Sequence, residues 1–100
     1  MAPEAARQLR DICRRFHVRR LAIFGSASRG EASPASDVDL LVDFEEGHHP
    51  GWDIILLEDE LSEVFDGRRI DLVNRKYLKP RLRDSILRSA RDLYESSHAA

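Results

Sequence analysis

The sequence predicts a single domain of mixed helix and strand, and three observations carry that prediction. Three segments repeat apolar residues at helical spacing, three short apolar runs read as strands, and carboxylates interrupt two of those runs. At 100 residues the chain can bury roughly 65% of its unfolded surface in one core, with no room for a second. A function that needs two domains must take the other from a partner. Residues 1–95 are the expected domain and 96–100 an expected frayed tail.

The first helix is expected to start near Pro3, with Ala6, Leu9, Ile12, Cys13 and Phe16 on one face and Arg7, Arg10, Asp11, Arg14 and Arg15 on the other. That basic face reads either as solvated surface or as a dock for an acidic partner. Cys13 lies on the apolar side and reads as a packed small hydrophobe. As the one cysteine, it cannot form an internal disulfide.

Leu21-Ala22-Ile23-Phe24 is the first strand signal, a continuous apolar run of the kind covered on both faces. It ends at Gly25-Ser26. Glycine allows a close backbone approach there, and serine can offer its N–H and hydroxyl to an anion. By itself, Gly-Ser is an ordinary turn. The polar stretch that follows holds Arg29, Gly30 and Pro34 before the second strand signal, Asp37 to Val42. Extended side chains alternate, so Asp37 and Asp39 share one face while Val38, Leu40 and Val42 share the other.

A Gly/Pro loop follows, containing His48 and His49. Adjacent histidines invite a metal reading but lack the spacing of a defined site. The second helix is expected to run from Trp52 through Ile55, Leu56, Leu57, Leu61, Val64 and Phe65, with Gly67 placed to end it. Arg69 to Val73 is the third strand signal, with Asp71 in its middle. A buried carboxylate needs a cation, a hydrogen-bond network or solvent. Asp71 either pairs with Arg68 or Arg69 on an edge strand or, if its strand lies beside Asp37–Val42, meets Asp37 and Asp39. Pro80 is expected to open a third helix whose stripe continues through Leu82, Ile86, Leu87, Ala90, Leu93 and Tyr94.

Charge and composition narrow the function. A net charge of −2 and a pI near 6.1 provide no basic footprint, so independent nucleic-acid binding is not expected. From Asp37 to Asp66 there is no lysine or arginine, which leaves an acidic middle able to gather cations. No apolar run has the length of a signal peptide or a membrane span, and a cytoplasmic location is the expectation. Three clustered carboxylates repel one another, a conflict that divalent cations remove. Beside a phosphate-binding turn, hard oxygen ligands suit Mg²⁺, and two such ions suit in-line displacement at phosphorus.

These residues resemble a known family. Gly25-Ser26, ten intervening residues, Asp37-Val38-Asp39, and Asp71 on a later strand resemble the signature of the DNA polymerase beta nucleotidyltransferase superfamily. More narrowly, Phe24-Gly25-Ser26, Arg29-Gly30-Glu31-Ala32, Ser36 to Val42 and Ile70-Asp71-Leu72-Val73 are similar to the minimal nucleotidyltransferases, or MNT proteins, over nearly the whole chain. The resemblance implies an α+β (α/β mixed) fold, a small mixed β-sheet with helices packed against it. It also implies transfer of a nucleoside monophosphate to a hydroxyl with release of pyrophosphate. Minimal members resemble antitoxins that transfer AMP from ATP to a tyrosine of a cognate HEPN-type ribonuclease toxin. Carried over by motif, Asp37 and Asp39 would bind two Mg²⁺ ions. Asp71 would bind the catalytic ion and orient or deprotonate the acceptor. Gly25 and Ser26 would hold the triphosphate, and Arg29 would contact phosphate or brace the loop. The expected assembly is a hetero-oligomer with the toxin. The alternatives are a binding antitoxin that acts by occlusion, and the catalytic subunit of a two-chain enzyme acting on a small molecule or an RNA end.

Overall fold

The computed structural model describes residues 2–25, 37–48 and 51–96. The expected α+β architecture is present: α1 (Pro3–Arg15), β1 (Val18–Phe24), β2 (Val38–Phe44), α2 (Asp53–Val64), β3 (Ile70–Asn74), a 3₁₀ turn (Arg75–Tyr77), α3 (Pro80–Ser89) and β4 (Arg91–Glu95). The four strands form one mixed sheet in the order β3-β2-β1-β4. β1 runs antiparallel to both β2 and β4, whereas β2 and β3 are parallel.

Alternation along the strands sorts side chains between two faces. Leu21 of β1, Val38, Leu40 and Val42 of β2 and Ile70 of β3 turn inward. With Leu9, Ile12 and Cys13 of α1 and Leu57 and Leu61 of α2 they make the core. Arg15 at the end of α1 reaches across to Glu60 of α2, so one arginine of the basic face is a tie between helices. On the opposite face Ala22 and Leu41 meet Leu87 and Ala90 from the α3 segment around a cavity of about 270 Å³.

Helix ends follow local rules. Pro3 and Pro80 each occupy the first turn of a helix, where a missing N–H costs nothing. α2 stops as the Gly67 N–H donates to the Ser62 carbonyl at 2.9 Å, a Schellman closure. The residue that takes the first left-handed position is Asp66 (φ 59°), followed by Gly67 (φ 78°). Within α2 only part of the expected apolar stripe is covered. Leu57 and Leu61 are fully buried, but Trp52, Ile55 and Leu56 are exposed, Trp52 by 88%.

The third helix is shorter than its periodicity predicts. Leu93 and Tyr94 continue the spacing of Ile86 and Ala90, yet they belong to β4. The outer edge of β1 would otherwise leave its N–H and C=O groups unpaired, and pairing with 91–95 satisfies them. A register irregularity between Leu21 and Ala22 lets both Leu93 and Tyr94 pack against the core. The Arg20 guanidinium forks onto Asp92 at 2.9 and 2.8 Å and fastens this strand. Of the expected tail, Ser96 donates its N–H to the Arg19 carbonyl at 2.8 Å, and 97–100 lie outside the described residues.

Candidate active site

The parallel pairing of β2 with β3 builds the site. Its register sets Asp39 opposite Asp71, and the Val38 N–H donates to the Arg69 carbonyl at 2.8 Å just before that pair. Asp37 stands two residues before Asp39, where β2 begins, and is exposed. The outward face of β2 and β3 therefore gathers all three carboxylates predicted from sequence, while the inward neighbours Val38, Leu40 and Ile70 are anchored in the core. β3 is an edge strand, as one sequence alternative supposed, and its aspartate faces Asp39 of the neighbouring strand.

Crowding is visible in the electrostatics. The Asp39 carboxyl binds its proton more tightly than an ordinary aspartate. Partial burial is the leading cause, followed by the negative charges of Asp71 and Asp37 and a side-chain hydrogen bond with Asp71. Each cause disfavours the ionised form, so the carboxylates crowd one another's charge.

Gly25 closes the other side of Asp39. Phe24 pairs with Asp39 across the β1–β2 ladder, and the chain then turns at Gly25 with φ 72°. A Cβ built there would stand 2.6 Å from Asp39 Oδ2. Glycine is thus required twice, for a left-handed backbone and for contact with a carboxylate. The remaining predicted phosphate contacts, Ser26 and Arg29, lie outside the described residues.

Sequence reasoning missed Glu58 of α2. With Asp59 it lines an open groove of about 480 Å³ that also contains Asp37, Arg69 and Asp71. Burial, then the charges of Asp71 and Asp59, raise its proton affinity, partly offset by Arg69. No motif announces this residue; it is one acid among several on a polar helix face, and only the packing of α2 beside β3 selects it. His48 is far from the carboxylates in the ladder, just beyond the end of β2, and His49 lies outside the described residues.

Known proteins share this fold. Residues 6–93 match the family model of the nucleotidyltransferase domain. Protein adenylyltransferase MntA of Thermococcus cleftensis is 42% identical over 79 residues, covering 79% of this chain and 78% of that protein. A solved structure, provisionally assigned as a minimal nucleotidyltransferase, superposes with a TM-score of 0.73 at 41% identity, over 88% of this chain and 87% of that one. The same fold recurs at 17% identity, with a TM-score of 0.65 over 96% of this chain and 74% of that one, in a complex of tri-AMPylated Shewanella oneidensis HEPN toxin with MNT antitoxin. The family model, the relatives and the fold converge, and the chain belongs to the nucleotidyltransferase domain family, in its minimal branch.

Proposed function

We propose that this chain is a metal-dependent protein adenylyltransferase and antitoxin, transferring AMP from ATP to a tyrosine hydroxyl of a cognate HEPN-type toxin in the cytoplasm. The observation that carries the reading is the in-register Asp39–Asp71 pair with Asp37 beside it and Gly25 set against Asp39. The donor set is carboxylate oxygen throughout, and the raised proton affinity of Asp39, set by burial and the charges of Asp71 and Asp37, supports a cluster that takes up added positive charge. Both properties fit Mg²⁺. Asp37 and Asp39 would hold two ions and Asp71 would share the one nearer the acceptor. When bound, Mg²⁺ supplies charge neutralisation at the phosphates and lowers the acceptor hydroxyl's pKa.

The chain's own residues do the rest. Gly25 brings the backbone close to the carboxylates, and with Ser26 it would receive the triphosphate; Arg29 would contact phosphate or brace that loop. Asp71, exposed on the edge strand, is open to an acceptor arriving from outside the domain. The acceptor oxygen forms a bond to the α-phosphorus as the bond to the β-phosphate-bearing oxygen breaks. Pyrophosphate leaves, and the hydroxyl proton passes to Asp71.

A partner is supported by the position of Asp71, exposed at the edge of the sheet where an acceptor hydroxyl from another chain can reach it. Trp52, Ile55 and Leu56, exposed on the helix that carries Glu58, add apolar surface suited to a lasting hetero-oligomer, and they favour occlusion as a second contribution to neutralisation. The test is intact-mass analysis after mixing the chain with ATP, Mg²⁺ and the toxin encoded beside it. An adenylate adduct on a toxin tyrosine is expected, and none with Asp39→Ala. Neutralisation that survives Asp39→Ala would leave occlusion as the mechanism. Label that turns over into a small product or an RNA end would assign the chain to a two-chain enzyme of another substrate class.

A further inference from the structure

The β1–β2 ladder has a second end. Val18 pairs with Phe44 there, six β1 residues from the Phe24–Asp39 pair, which places it about 20 Å from the carboxylates at the usual rise per residue. His17 directly precedes Val18, and Glu45 directly follows Phe44. The Glu45 N–H donates to the His17 carbonyl at 2.8 Å, so the two backbones are joined. A tight turn through Gly47 (φ 83°) then returns the chain, and the His48 N–H donates to the Glu45 carbonyl at 3.0 Å. One ligand atom from each of His17, Glu45 and His48 lies within 4.8 Å of the others.

We propose that His17, Glu45 and His48 form a second metal site, selective for a borderline transition-metal dication such as Zn²⁺ and independent of the carboxylate cluster. Two imidazole nitrogens and one carboxylate oxygen are the donors that Zn²⁺ prefers, and they leave a fourth tetrahedral position for water or a partner's side chain. Mg²⁺ favours an all-oxygen shell, so the two ends of the ladder select different ions.

Charge and ring geometry both bear on such a site. Arg10 and Arg14 border the same groove, and their charge opposes a cation; Glu45 and Glu95 border it too and offset them. An anion is the worse occupant, because the Glu45 carboxylate already stands against both rings. The rings of His17 and His48 are stacked, with centroids 3.8 Å apart and planes 12° from parallel. Parallel rings aim their nitrogens side by side and not at one point, so ligation replaces the stack by rotation of a ring. Both side chains are exposed, which leaves room for that rotation.

The experiment is Zn²⁺ titration by calorimetry with excess Mg²⁺ present to fill the carboxylate cluster, and Co²⁺ absorption as a probe of tetrahedral nitrogen and oxygen ligation. One Zn²⁺ per chain is expected. Loss of even an outer-shell partner weakens metal binding roughly 10–100-fold, so His48→Ala and His17→Gly should each weaken it by about 100-fold or more. Glycine is chosen at position 17 because His17 has φ 57°, a conformation glycine adopts freely, which separates loss of the ring from loss of the fold. Asp39→Ala and the pair His49→Ala, His98→Ala should leave affinity and the Co²⁺ spectrum unchanged. Zn²⁺ binding that is equal in the wild type and in the His17→Gly, His48→Ala double variant would overturn the proposal, as would binding that disappears with Asp39→Ala.

Discussion

Asp39→Asn should make the metal-free protein more stable at neutral pH while removing its response to Mg²⁺. Asp39 and Asp71 are opposite one another on neighbouring strands, which lie about 4.8 Å apart. Two unit charges at about 5 Å repel by roughly 0.8 kcal/mol in bulk water and about 3 kcal/mol at an effective dielectric of 20. Asp71 is exposed, so the lower end applies, and removing the charge should return about 1 kcal/mol, or about 4–8 °C in melting temperature for a domain of this size. The pH dependence has a definite sign. Asp39 binds its proton more tightly folded than unfolded, so its contribution to stability is full in acid, below the unfolded carboxylate pKa of about 3.9, and is lost as pH rises through the raised folded value. Melting curves of the wild type and Asp39→Asn in EDTA should therefore converge near pH 3 and separate by pH 7. Saturating Mg²⁺ should raise the wild-type melting temperature and leave that of the variant nearly fixed. A variant that melts at or below the wild type in EDTA at pH 7 would refute the crowding argument.

Two further outcomes follow from single residues. Gly25→Ala places a methyl group 2.6 Å from Asp39 Oδ2 on a backbone with φ 72°; it should cost about 1–2 kcal/mol by denaturant melting from the backbone alone and suppress adenylyl transfer more than stability. Burial pushes the Cys13 thiol up to about 12, so thiol reagents should label it only as fast as the protein opens, with full labelling in denaturant; rapid labelling of the native state would place Cys13 outside the core.

The acids were legible in sequence because strand alternation is a local property. Asp37 and Asp39 had to share a face, and only the pairing of β2 with β3 was needed to add Asp71. Gly25 was recognisable as a turn, but its second role, leaving space for the Asp39 carboxylate, depends on a cross-strand partner that local pattern does not reveal. Leu93 and Tyr94 misled because 3.6-residue spacing and a buried strand pair are both compatible with Ile86, Ala90, Leu93 and Tyr94; the open edge of β1 decided the outcome. Trp52, Ile55 and Leu56 likewise look like core on a helical stripe, yet the sheet and α1 cover only the turn face carrying Leu57 and Leu61. Glu58 and the His17–Glu45–His48 group exist only through tertiary contact.

The two strands that bear the acids are held unequally, and this should separate stability from activity. β2 is central, and Val38, Leu40 and Val42 are fully buried, so a one-residue slip would drive Asp39 and Asp43 into the core. Among the described residues β3 is paired on one side only, and Ile70 is its one buried residue. Ile70→Ala should thus loosen Asp71 relative to Asp39 in addition to its general cost of about 2–5 kcal/mol, whereas Leu9→Ala in α1, of similar cost, should leave the pair in place. Both variants would be assayed for adenylyl transfer well below their melting temperatures, with hydrogen exchange followed in residues 70–74 and 38–44. Ile70→Ala should lose transfer activity and protection in 70–74 while β2 stays protected, and Leu9→Ala should keep most of its activity. Equal loss of activity in the two variants at matched stability would mean that the position of Asp71 is set by the fold as a whole and not by the anchoring of its own strand.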